Sequence, residues 1–126
     1  MAEFNTDRAI FLQIADRISD DILAGKYKTD ERIPSVREYA AMLQVNVNTA
    51  MKTIEYLSRE GIVYKMRGMG YYVTAEAKEK ILEQRRQEFM TRTLPELFKQ
   101  MELQGISIET VVEEWGRRAE RREKEV

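Results

Sequence analysis

At 126 residues the chain has room for one ordinary domain, or for a small domain with an appendage. Its 43% apolar and 34% charged residues read as a soluble, helix-rich globule, and the lack of Cys and His excludes disulfides, thiolate–imidazole zinc sites and Ser-His or Cys-His nucleophiles. Net charge is −1, with ten Lys and Arg against ten Asp and Glu in residues 1–75, so any nucleic-acid affinity must come from a local basic patch.

The opening stretch MAEFNTDRAIFLQ lacks the basic-then-apolar pattern of a signal peptide, and no apolar run approaches the ~20 residues of a membrane span. A cytoplasmic protein without membrane contact is expected. From Phe11 to Leu23, apolar residues at Phe11, Ile14, Ala15, Ile18 and Ile22 follow helical spacing, and Gly25 stands where a left-handed cap belongs. Lys26 to Ile33 is polar and reads as a connector.

Ser35, with Glu38 three residues later, predicts a capping box at the start of a second helix. Val36, Tyr39, Ala40 and Leu43 form its buried side. After the short turn Gln44-Val45, Asn46 predicts the cap of a third helix running to about Glu60, with Ala50, Ile54 and Leu57 inward. Ile62–Lys65 and Tyr71–Thr74 are β-branched and aromatic, and the Gly-containing stretch Met66–Gly70 between them predicts a hairpin tip.

From Ala75 onward, helix formers dominate. A long helix is expected, interrupted at Pro95, where Thr93 and Glu96 suggest a second capping box and hence a kink or restart. Gly105 closes it, and Ser107 caps a last helix carrying Ile108, Val111, Val112 and Trp115. Ile106 and Val111 fit a hydrophobic staple.

Two helices, a tight turn between them and a hairpin after the second describe a winged helix-turn-helix, in which a helix enters the major groove and the hairpin reaches sideways. The fold class is therefore mainly α with a small β-hairpin. A winged domain is expected over 1–74, followed by a two-helix tail over 75–126.

The run Ile33–Ala40 resembles the opening signature of GntR-family regulators. The likeness continues through Val45–Thr49, Leu57–Val63 and Arg67–Val73, covers roughly residues 9–74, and keeps the order and gaps of the elements. The Asn-X-Asn-Thr entry to the third helix, the nearby Met51 and the short tail look most like the YtrA subfamily. Three positions depart from the pattern: Thr29-Asp30 replaces Pro-Gly in the connector, Gln44 replaces the turn glycine, and Val47 stands where an Arg or Pro is common.

The resemblance implies a sequence-specific DNA-binding regulator, a homodimeric repressor of its own operon bound to an inverted-repeat operator, often linked to a transporter. It needs no cofactor. Ser35, Arg37, Asn46, Val47, Asn48, Thr49, Lys52, Arg67 and Gly68 are the expected DNA-binding residues. Four of them have a plainer alternative role. Arg37 could pair with Glu38 or Glu60, Asn46 could serve only as a cap, Lys52 could be merely solvated, and Gly68 could serve only the turn. Asn pairs well with adenine, and the methyl groups of Val and Thr suit the thymine methyl.

In the tail, Phe89, Leu94, Leu97, Phe98, Met101, Val111, Val112 and Trp115 exceed what two helices can hide, so dimer burial is expected, with packing inside one chain as the alternative. The neutral charge also permits a winged-helix protein-interaction module without DNA binding. The carboxylates lie on solvated helix faces, with no phosphate loop or metal spacing, and no enzyme is expected. About fifty residues after Val73 cannot hold a separate effector domain. The effector, if one exists, is unknown. It is expected between tail and winged domain or across the dimer, where Phe89, Phe98 and Trp115 could wall it.

Overall fold

The computed structural model describes residues 8–124. Residues 1–7, which open the stretch considered above for a signal peptide, and residues 125–126 lie outside the described residues. The elements run α1 (Ile10–Leu23), α2 (Val36–Leu43), α3 (Val47–Arg59), β1 (Val63–Met66), β2 (Gly70–Val73), α4 (Ala77–Glu88), a π-helical turn (Phe89–Thr93), α5 (Leu94–Gln104) and α6 (Ile108–Lys124). They fall into two compact units that divide between Gln84 and Arg85.

In the first unit α1 buries Ile14, Ile18 and Ile22, four residues apart on one stripe. These meet Ile54 and Leu57 of α3, Tyr39 and Ala40 of α2, and Ile62, Val63 and Val73 from the hairpin in a single core. Full burial of an aliphatic side chain stabilises by roughly 1.5–3 kcal/mol, so this cluster dominates the folding of the unit. Phe11 and Tyr56 meet edge to face at 5.9 Å on the flank of α1 and α3. Ala77 and Ile81 of α4, one helical turn apart, are each 1% exposed and belong to the same core. This unit therefore continues past Thr74, where composition alone changes.

The hairpin is antiparallel, with Val63 opposite Val73 and Met66 opposite Gly70. The connector, expected to be merely polar, supplies a third edge to it. The N–H of Ile33 donates to the Tyr71 carbonyl at 3.0 Å, that of Val73 to Glu31 at 3.0 Å, and that of Asp30 to Val73 at 2.8 Å. Two departures from the family pattern stand in left-handed backbone. Asp30 takes φ 64°, the left-handed conformation for which the Pro-Gly glycine is suited, and its carboxylate accepts the Tyr64 hydroxyl at 3.0 Å. Gln44 takes φ 54°, ψ 48° as the cap of α2 without a glycine's freedom.

In the second unit no new cap separates α4 from α5. Thr93 has helical angles and makes no side-chain cap, so of the expected kink or restart the capped restart does not form, and a π-helical turn stands there. The extra residue in that turn widens the helix where the Pro95 ring would strike a carbonyl and its missing N–H leaves an acceptor unpaired. The Thr91 hydroxyl donates to the Gln87 carbonyl at 2.8 Å in the turn before. Gly105, at φ 68°, ends α5, and the N–H of Ile106 reaches back to Met101 at 2.9 Å. Ser107 caps α6 as expected, accepting the Thr110 N–H at 3.2 Å.

Candidate nucleic-acid interface

The start of α2 is held by the predicted capping box. The Ser35 hydroxyl accepts the Glu38 N–H at 3.1 Å, and the Glu38 carboxylate accepts the Ser35 N–H at 2.9 Å. That backbone donor, the Ser35 hydroxyl and nearby Arg32 hold the Glu38 carboxyl below its ordinary pKa. Ser35 is thus engaged locally, and the next turn presents Arg37 to solvent. Among the described residues Arg37 has no ion pair; Glu38 turns to Ser35 and Arg32 instead.

The left-handed turn at Gln44 reverses the chain into α3. Asn46 caps this helix through its side-chain oxygen, which accepts the Asn48 N–H at 2.7 Å and leaves the amide NH₂ as the free part of the side chain. Val47, Asn48 and Met51 are exposed along the first turns, while Thr49 is half-buried and its carbonyl accepts the Thr53 hydroxyl at 2.9 Å. A mixed apolar and amide surface therefore stands at the open end of the helix. Lys52 is exposed, but its ammonium lies over the Phe11 ring at 4.5 Å. Such a contact is worth only about 0.5–1 kcal/mol at the surface, so it parks the charge without locking it.

At the wing, Gly68 takes φ 77° in the turn closed by the Met69 N–H on the Met66 carbonyl at 2.9 Å, and Arg67 projects beside it with no ion pair among the described residues. One residue that the sequence reading overlooked holds this tip. Arg32 donates from Nε to the Met69 carbonyl at 3.1 Å, and its guanidinium lies 3.9 Å from Glu38. It ties the wing turn to the first turn of α2. Gly70, at φ 103°, makes room for it, since a Cβ there would come within 2.9 Å of Arg32 Nε.

The tail residues expected at a dimer interface divide. Phe89, Leu97, Phe98, Val112 and Trp115 are exposed in the single chain, and Leu94 and Val111 are half-buried. Met101 is already buried at 8% exposure and serves as core instead. Among the described residues no cluster of acidic side chains has metal-holding geometry, and no helix is long and apolar enough to cross a membrane.

A helix fits the major groove end-first, and a hairpin beside it reaches the neighbouring backbone. The exposed end of α3, the solvent-facing Arg37 and a wing braced onto α2 by Arg32 are the parts of a winged helix-turn-helix regulator of transcription, not those of an enzyme. Residues 11–73, half of the chain, match the family of bacterial regulatory proteins known as the gntR family. The chain belongs to the GntR family, and within it to the YtrA subfamily.

A GntR-family transcriptional regulator from Bacteroides thetaiotaomicron superposes with TM-score 0.78 at 42% identity, over 90% of this chain and 99% of that one. The transcriptional repressor YtrA of Bacillus subtilis is 38% identical over 59% of this chain and 57% of its own length. The DNA-binding domain of AraR, solved in complex with operator ORX1, superposes with TM-score 0.52 at 27% identity, over 59% of this chain and 90% of that one.

Proposed function

We propose that this DNA-binding regulator works in the cytoplasm as a homodimeric repressor of its own operon, bound to an inverted-repeat operator in double-stranded DNA. The observation that carries the reading is the pair of exposed arginines, Arg37 and Arg67, without ion pairs among the described residues, on two elements braced together by Arg32. In a chain of net charge −1 such cations are where phosphate affinity must arise. Val47, Asn48 and Thr49 read base edges from the first turn of α3, joined by the free amide of Asn46. Ser35, Lys52 and Gly68 approach the backbone. AraR held on its operator and the repressor role of YtrA support the same reading. The tail, with Phe89, Leu94, Leu97, Phe98, Val111, Val112 and Trp115, supplies the dimer contact.

Genomic fragments selected by the purified protein should yield one inverted-repeat motif. Arg37→Ala and Arg67→Ala should each weaken binding to it by about 1–3 kcal/mol if the arginine reads a base. An arginine on phosphate should instead lower the salt slope by about 1 and weaken all sequences alike. Unchanged affinity in both variants, with the fold intact by circular dichroism, would remove this surface from the DNA.

A further inference from the structure

Helix α6 is 17 residues long and buries none of them in the single chain. Helices in proteins draw most of their stability from packing an apolar face, so α6 calls for a partner surface. Ile108, Val112, Trp115, Ala119 and Arg122 recur at alternating spacings of four and three, the period of a coiled-coil seam. The three large apolar members are 52%, 62% and 72% exposed.

The helix is also divided electrically. Ile108–Trp115 carries Glu109, Glu113 and Glu114 with no cation, a net −3; Arg117–Lys124 carries five cations and two glutamates, a net +3. Gly116 sits between the halves, at the midpoint of the helix. A Cβ there would meet nothing within 4 Å, so no contact inside the chain requires a glycine that costs a helix interior about 1 kcal/mol.

Acid first and base last also suits the dipole of a lone helix. That account leaves the apolar seam uncovered and the central glycine unexplained. We infer that two copies of α6 pair antiparallel about a two-fold axis near Gly116, laying the acidic half of each along the basic half of the other. A parallel pair would set +3 beside +3 and −3 beside −3. Gly116 stands beside the seam at the axis, where its missing side chain leaves room for the two Trp115 rings to be buried. The inference rests on the homodimer proposed above and adds its helix and its direction.

The chain has no cysteine and a single tryptophan, so both probes are clean. Nitroxide labels would be placed on the full-length Glu109→Cys and Glu123→Cys variants, which lie seven residues either side of Gly116. In an antiparallel pair each single label should sit about 21 Å from its copy along the axis. The doubly labelled chain should add a short distance between position 109 of one copy and 123 of the other. Short distances in both single-label samples would mean a parallel pair, and long distances alone would mean that α6 does not meet its copy; either result overturns the inference. The emission of Trp115 should be blue-shifted in the dimer and move to the red on dilution. Trp115→Ala should weaken dimerisation tenfold or more with thermal unfolding of the winged unit unchanged, and an unaltered dimer constant would also overturn it. A wild-type chain that sediments as a monomer would remove the dimer reading itself, an outcome distinct from a dimer lacking the α6 pair.

Discussion

The two units of this protein treat their apolar residues in opposite ways. In the winged unit Ile14, Ile18, Ile54 and Leu57 are at most 1% exposed within one chain; in the tail Phe98 is 44% and Trp115 72% exposed. Both patterns arise from the same helical spacing, so spacing alone does not distinguish a core from an interface. What differs is the number of elements available to cover each stripe. Helices α2 and α4, the hairpin and its connector close around α1 and α3, whereas α6 has no such shell.

The largest test of this contrast is a pair of truncations, one in each unit. Leu57→Ala should cost about 2–5 kcal/mol of winged-unit stability, measured by urea unfolding. Leu97→Ala should leave that stability within about 0.5 kcal/mol, as an exposed site does. Its effect should fall on the dimer constant. Equal losses in urea would mean that the tail packs as a core within one chain.

The boundary between the units gives the next test. A chain ending at Gln84 should fold and sediment as a monomer, while one ending at Thr74 should lose about 2–5 kcal/mol because Ile81 no longer fills its place in the core. Equal melting of the two fragments would show that α4 adds nothing to the winged fold.

The smallest expected effect is a gain. Gln44→Gly should stabilise the winged unit by about 1 kcal/mol, since a left-handed residue with a side chain carries roughly that strain. Calorimetry would read it as a rise in Tm; a fall would mean that the Gln44 side chain earns its place by a contact.

Much of the local structure at the proposed DNA-facing surface was legible before the structure. Ser35 with Glu38, Asn46 before α3 and Gly68 in the wing are local arrangements, decided by residues three or four positions apart, and each forms as read. Arg32 was not legible, because its partner Met69 lies 37 residues away and no local pattern names it. Lys52 was read as a DNA contact or a solvated cation; the Phe11 ring over which it lies belongs to α1, beyond the reach of a local pattern. At Pro95 the sequence signalled a break correctly but not its form, since a capped restart and a π-helical turn both relieve a missing N–H.

By itself the sequence determined the order of helices and strands, the caps of α2, α3 and α6 and the family, because these follow from short-range hydrogen bonds, periodicity and motif spacing. Only the tertiary structure decided that the connector joins the hairpin as a third edge, that α4 begins inside the winged core, and that Met101 is buried while Trp115 stands open. Those outcomes depend on which surfaces meet across long stretches of chain, where burial of apolar area and pairing of backbone groups are settled by geometry that no local pattern encodes.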